Sequence, residues 1–374
     1  MKGAFEMIEE LKNVFTNRNQ VARKLADQGK KVVGWMCTYV PEEIIYAAGA
    51  HPIRVVGAEG TTTTADAHLY SNVCTYARAS LEEGFRGSYD FLSGYIAVNT
   101  CDNIRRLYEV WSRYLNTPFT HILKLPHRAD EEAVEYFAGE LNDFREKLGA
   151  YVGKDISDDA LWQAIEVYNH SRALLRELYE LRKADSPPIT GAEVMDVFLA
   201  GIIMPKDEYN RKLKTLLNSL KGHKTVNGDR IRILVMGSEL DNSEYIRTIE
   251  ELGGIVVCDD LCNGTRYFWD PVEVSGDPIQ ALANRYMRRS PCARMRPNTE
   301  RMNHVRRLIQ DYRIDGIVYE ALKFCDLYGE DYPIFKENIK DMEVPSLLLT
   351  RDYFTAGMGQ MKTRIQAFFE TLQE

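Results

Sequence analysis

Residues 230–260 run RIRILVMGSELDNSEYIRTIEELGGIVVCDD. RIRILVMGS is a short apolar run of strand length, NSEYIRTIEELGG has helical character and stops on glycine, and IVVCDD is apolar again. Strand, helix and strand in that order make a βαβ unit and point to a largely parallel sheet. The alternation continues toward the C-terminus. DPIQALANRYMRR and TERMNHVRRLIQDYR read as helices, GIVYEAL (316–322) and VPSLLLT as strands, and GQMKTRIQAFFETLQ as a closing helix.

The first ~125 residues follow the same grammar. KKVVGWMC (30–37), PIRVVG (52–57), SGYIAVN (93–99) and THILKLP (120–126) read as strands. PEEIIYAAGA is a helix with Pro41 at its first position, acids in its first turn and Gly49 as its stop. Between about 130 and 225 the texture turns helical: ADEEAVEYFAGELNDFREKLGAYVG, DDALWQAIEVYNHSRALLRELYELRKA and AEVMDVFLAGI space apolar residues at helical intervals. Ser157, followed by two Asp, is an N-cap signal, and Ser186-Pro187-Pro188 ends a helix sharply. A charged link, KGHKTVNGDR, leads back to strands. The expected architecture is α/β: two doubly wound, Rossmann-like parallel-sheet domains joined by a helical segment. The boundaries fall at 1–129, 130–228 and 229–374.

Composition narrows the function classes. The 374 residues carry 47 Lys+Arg against 55 Asp+Glu, a net charge of -8, which argues against a dedicated nucleic-acid binder. At 45% hydrophobic and 27% charged, the chain is globular rather than disordered. No apolar run approaches the ~20 residues of a membrane span. MKGAFEMIEELKNVF carries acids through an amphipathic pattern and reads as no signal peptide. A cytoplasmic protein, without nucleic acid or membrane as partner, is the expectation.

The seven cysteines are odd in number and scattered, so reduced thiols or metal thiolates are favoured over a disulfide framework. One internal echo bears on them. Asp90–Val98 runs into Asn99-Thr100-Cys101-Asp102, and Asp315–Tyr319 runs into Lys323-Phe324-Cys325-Asp326. Each α/β unit thus ends an apolar strand with Cys-Asp, at the strand edge where open α/β sheets bind ligands. Cys74, in SNVCTYARASLEEGF, falls where a helix would begin, a position that favours thiolate. Cys74, Cys101 and Cys325 converging on one cleft would suit an iron–sulfur cluster. The absence of a Cys-x-x-Cys pair weakens a zinc-finger or ferredoxin reading.

The other cysteines have plainer readings, because a free Cys is commonly a small buried hydrophobe. Cys258 lies inside an apolar strand, Cys262 reads as structural with a place near the cleft as the alternative, and Cys37 ends the first strand, with burial favoured over lining the same crevice. Cys292, in SPCARMRP beside Arg294 and Arg296, sits in an electropositive turn able to activate a thiolate or hold phosphate. Glu42 and Glu43 are candidates for acid–base chemistry at a helix start, where acids also offset the dipole. TTTT (61–64) is a polar loop, and His51 and His121 read as structural. Neither a dinucleotide glycine loop nor a GxxxxGK[ST] phosphate loop is present.

VPEEIIYAAGAHPIRVVG (40–57), the Cys74 segment, NTCDN (99–103), DDLCNGTRYF (259–268), DGIVYEALKFCDLYGEDYP (315–333) and GQMKTRIQAF (359–368) span nearly the whole chain. In that order they resemble the iron–sulfur subunits of the 2-hydroxyacyl-CoA dehydratase and benzoyl-CoA reductase family. The resemblance implies one 4Fe–4S cluster on Cys74, Cys101 and Cys325, with the fourth iron left for water, substrate or another ligand. It implies a homologous second subunit, or a second copy, as dimer partner and an acyl-CoA substrate. It also implies an ATP-hydrolysing iron–sulfur activator, so ATP need not bind this chain. The implied chemistry is oxygen-sensitive, low-potential, one-electron reduction of a thioester to a ketyl radical anion, in anaerobic metabolism.

The VPEE start, SPCARMRPN and TRYFW lean the resemblance toward the benzoyl-CoA reductase branch, with 2-hydroxyacyl-CoA dehydratase as the alternative. A third relative is a homodimer with a double-cubane cluster, for which Cys37, Cys262 or Cys292 would supply further ligands. A non-catalytic electron-transfer or scaffold subunit is the reading from another class.

Overall fold

The computed structural model describes residues 2–222, 230–354 and 357–373. The boundary expected at 228–229, within the KGHKTVNGDR link, lies outside the described residues. Among the described residues, eight strands form two sheets of four. The first contains β1 (Val32–Trp35), β2 (His51–Arg54), β3 (Gly94–Val98) and β4 (Phe119–Leu123), in the order β2-β1-β3-β4. The second contains β5 (Ile231–Gly237), β6 (Gly254–Asp260), β7 (Gly316–Leu322) and β8 (Ser346–Arg351), in the order β6-β5-β7-β8. Every neighbouring pair is parallel. The two halves therefore share one strand order, and both reverse direction at a switch point, β1/β3 and β5/β7. Ligands of open α/β sheets bind at such points.

The central strands are apolar along their length because helices cover both faces. VVGW of β1 and GYIAV of β3 are buried at every residue. The expected strand 52–57 is shorter in the fold. Its ladder ends at Arg54, and the Tyr89 phenol then takes both polar groups of Val56, accepting from its N–H at 3.0 Å and donating to its carbonyl at 2.7 Å. At the other switch point Gly237 has φ +135, and a Cβ there would lie 1.8 Å from the Glu320 carbonyl oxygen. Only glycine allows β5 to leave β7 so tightly.

The helical stretch consists of Glu131–Val152, Asp158–Glu180, Gly191–Gly201 and Lys206–Leu220. Ser157 caps the second of these, its hydroxyl accepting from Ala160 N at 3.2 Å. These helices pack on both sheets' layers. Glu131–Val152 lies on β4 and on the helix Pro278–Arg288, while Gly191–Gly201 lies on β6 and on the N-terminal helix Lys2–Thr16. No helix among the described residues is long and apolar enough to cross a membrane.

Candidate functional site

The strand ends of both sheets open onto one cavity, about 890 Å³ counting its mouth. Met36 and Cys37 follow β1, Arg54 ends β2, Thr100 and Cys101 follow β3, Ser238 and Glu239 follow β5, Cys262 follows β6, and Cys325 follows β7. Cys74, at a helix start, and Cys292, on the loop after Pro278–Arg288, complete the wall. Six of the seven cysteines thus line a single space. Cys258 is the exception, buried within β6.

Cys74, Cys101 and Cys325 share a local device, since each is the N-cap of the helix that follows it. The Cys101 sulfur accepts from Ile104 N at 3.5 Å. At Cys74, burial pushes the thiol up, while the N–H groups of Ala77 and Tyr76 and the Asn103 amide favour the thiolate. Burial raises Cys101 and Cys325 as well, and each has sulfurs of this trio close by, Cys74 beside both and Cys101 beside Cys325. Asn103 also donates to the Phe324 carbonyl at 3.0 Å, tying the Cys101 segment of one sheet to the Cys325 segment of the other.

Cys37, Cys262 and Cys292 form a second group. Cys292 neighbours both Cys37 and Cys262, and also Cys101 and Cys325 of the N-cap trio. The Thr100 hydroxyl donates to the Cys37 sulfur at 3.4 Å. Cys37 is pushed up by burial, and Cys262 is pushed up to about 12 by burial, against the pull of Arg266. Cys37 has φ 79 and Phe324, next to Cys325, has φ 63. A left-handed conformation costs a residue with a Cβ about 1–2 kcal/mol. Such strain collects at functional sites and persists only where surrounding structure enforces it.

The donor set bears directly on what the cavity can hold. Among the described residues, no three His, Cys, Asp or Glu side chains gather around a point as ligands of one metal ion would. The cavity thiols come from segments of both sheets, and thiolates are the donors an iron–sulfur cluster takes, each cysteine on a different iron. Burial raises the thiols of Cys37, Cys74, Cys101, Cys262 and Cys325, so metal has to displace their protons on binding.

The remaining candidates lie elsewhere. Glu42 and Glu43 start the short helix Glu42–Ala47 but do not line the cavity. Glu43 accepts from Arg172 and from the Tyr286 hydroxyl, the latter at 2.8 Å. Burial opposes its charge, yet Arg172 and Arg285 outweigh burial and hold it below the usual range. Glu42 accepts from Tyr267, and burial pushes it up against the pull of Lys206. His51 bonds the Ile203 carbonyl, His121 stacks on Phe119 and Phe144, and Thr62 turns its hydroxyl onto Asp66. Arg294 lines the cavity, whereas Arg296 lines a separate cleft beside Arg128.

Sequence alone favours core or turn roles for Cys37, Cys262 and Cys292, with a ligand role open through the double-cubane relative, and does not mark Arg54 or Glu239. A usable signal is present all the same. Cys37 and Cys262 each stand two residues beyond a strand, and Cys101 and Cys325 three beyond.

The family model of the 2-hydroxyglutaryl-CoA dehydratase D-component matches residues 37–372, a span that includes every cavity cysteine. The chain belongs to that family. Among its relatives, the (R)-phenyllactyl-CoA dehydratase beta subunit of Clostridium sporogenes is 26% identical over 374 residues, covering 100% of both chains. A subunit of the benzoyl-CoA reductase of Thauera aromatica is 29% identical, covering 91% of this chain and 89% of its own. The (R)-2-hydroxyglutaryl-CoA dehydratase beta subunit of Acidaminococcus fermentans is 28% identical over 98% of this chain and 99% of its own. This family member is thus an enzyme subunit of the 2-hydroxyacyl-CoA dehydratase and benzoyl-CoA reductase type. Dehydratase and reductase subunits match it at nearly equal identity.

Proposed function

We propose that the chain is the iron–sulfur subunit of a low-potential reductase of this family, and that all six cavity cysteines hold its cluster as two cubanes. The observation that carries this reading is the thiol count around one cavity. One cubane on Cys74, Cys101 and Cys325 uses three sulfurs and leaves Cys37, Cys262 and Cys292 facing the same space with no task. The bound group would supply single electrons at very negative potential to a thioester carbonyl, an acceptor too weak for ordinary reductants.

The chain's own residues do the rest. The six cysteines bind as thiolates, each losing its Sγ proton on loading. Met36, Leu322 and Tyr328 narrow the space and keep water from the sulfurs. Arg54 and Arg266 offset the negative charge that the thiolates bring. An ATP-hydrolysing activator is proposed as electron donor, on the strength of the family resemblance. The relatives are each named as one subunit of an enzyme, which supports a partner subunit; a homologous chain or a second copy in that place is proposed on the family resemblance.

A second reading has its own observation. The N-cap trio has sulfurs as mutual neighbours, which suits a single cubane acting on an acyl-CoA, as the relatives' names describe for them. Anaerobic assay of the loaded full chain against benzoyl-CoA and a 2-hydroxyacyl-CoA, with a strong one-electron reductant, tests both. Turnover of either thioester by wild type, lost in the variant C37S/C262S/C292S, supports the two-cubane reading. Full turnover by that variant supports the single cubane, and no turnover by an iron-replete wild type purified together with its partner subunit removes acyl-CoA as substrate.

A further inference from the structure

Tyr328 lines the cavity with its hydroxyl 3.5 Å from the Cys292 sulfur. The same oxygen accepts a hydrogen bond from the Arg266 guanidinium. Arginine carries donors only. The phenol oxygen is therefore the acceptor toward Arg266, and its single proton is left for the sulfur. A metal-bound Cys292 thiolate has no proton to give, so once the site is loaded Tyr328 is the donor and the sulfur accepts.

Arg266 is itself held in place from behind. It donates to the Gly237 carbonyl at 2.7 Å and faces Asp260 at 3.6 Å. Asp260 also faces Arg301 at 3.4 Å, and Arg301 pairs with Asp331. All four charged side chains are buried. The end of this chain of charges is one oriented phenol at the cavity wall.

The two cysteine groups meet different charges. Beside Cys74, Cys101 and Cys325 stand Glu320, the Arg78 guanidinium and the side chains of Asp102 and Asp326, which line the cavity next to Cys101 and Cys325. Beside Cys37, Cys262 and Cys292 they are Arg54 and Arg266, with Glu239 opposing. Positive charge and hydrogen bonds to sulfur stabilise an added electron.

We propose that Tyr328, oriented by Arg266, is a positioning residue that makes the Cys37–Cys262–Cys292 half of the site the half on which an electron collects. The inference rests on the two-cubane reading. No bond is made or broken in this step. One electron from an external one-electron reductant enters the site, and the phenol and guanidinium stabilise it on their side.

The test is an EPR-monitored redox titration of the anaerobically loaded full chain, wild type against Tyr328→Phe. Wild type shows two midpoints. In the variant the higher midpoint falls by about tenfold in the reduction equilibrium, about 59 mV for one electron, while the lower midpoint and the iron content stay unchanged. About eight irons per chain with an unmoved higher midpoint overturns this inference alone. Loss of iron in Tyr328→Phe also overturns it, because Tyr328 would then build the site rather than bias it. A wild type with one midpoint and about four irons overturns the two-cubane reading and this inference with it.

Discussion

Arg54 at the end of β2 and Glu239 just beyond β5 form a buried ion pair between the two sheets, Nη2 to Oε2 2.7 Å. Arg54 also lies over the Trp35 ring at 5.0 Å, and Glu239 accepts from Asn263 at 2.7 Å. The pair sits in the cavity wall, so the contact that joins the sheets also shapes the site. Removing one partner of such a pair leaves a buried charge without its counterion, whereas removing both is far cheaper. Glu239→Gln is therefore expected to cost about 3–5 kcal/mol in urea unfolding. Arg54→Met combined with Glu239→Leu should recover most of that loss. A cost under about 1 kcal/mol for the single variant would mean the pair is solvated like a surface bridge.

Glu43 and Glu42 should separate sharply. Glu43→Gln strips the counterion from Arg172, which is buried and always charged, and is expected to cost about 3 kcal/mol or more. Burial pushes Glu42 up and its counter-charge Lys206 down, so this charge contributes less than that of Glu43 and Glu42→Gln should cost about 1 kcal/mol. Denaturation midpoints of the two variants decide this. Equal costs would contradict the opposite pKa directions.

Acid sensitivity should trace to His51. Burial holds its imidazole down to about 4 from an ordinary 6.5, and its Nε2 bonds the Ile203 carbonyl at 2.7 Å. The folded state binds its proton less readily than the unfolded state. Stability from this group is thus complete above the unfolded value and drains away as pH falls from 6.5 toward 4. The full loss is about 3 kcal/mol. In urea unfolding at pH 7 and pH 5, wild type should lose more stability than His51→Gln. Parallel losses would remove His51 as the cause.

Gly237→Ala should be severe. Its Cβ would meet the Glu320 carbonyl at 1.8 Å, and φ +135 already disfavours a side chain. Backbone has to move at the switch point beside Ser238 and Glu239. The expected result is loss of soluble protein or a large fall in Tm, and a Tm within about 2 °C of wild type would contradict the close approach.

Most of the fold was legible because buried parallel strands are written as short apolar runs between helices. GIVYEAL (316–322) forms its strand without adjustment. PIRVVG did not, because Tyr89, 33 residues from Val56, takes over its hydrogen bonds. The site was half legible. Cys74, Cys101 and Cys325 announced themselves as helix-start or strand-end residues. Cys37, Cys262 and Cys292 stayed between core, turn and ligand roles, since the left-handed turn at Cys37 and the loop return at Cys292 are tertiary facts. The Arg54–Glu239 pair spans 185 residues of sequence and carries no local mark.

The most direct test is the iron and acid-labile sulfide content of the full chain loaded anaerobically, wild type beside C37S/C262S/C292S. The account predicts about eight irons per chain in wild type, falling to about half in the variant. Near-zero iron in wild type, or the same iron in both proteins, would contradict a cluster held by all six cavity cysteines.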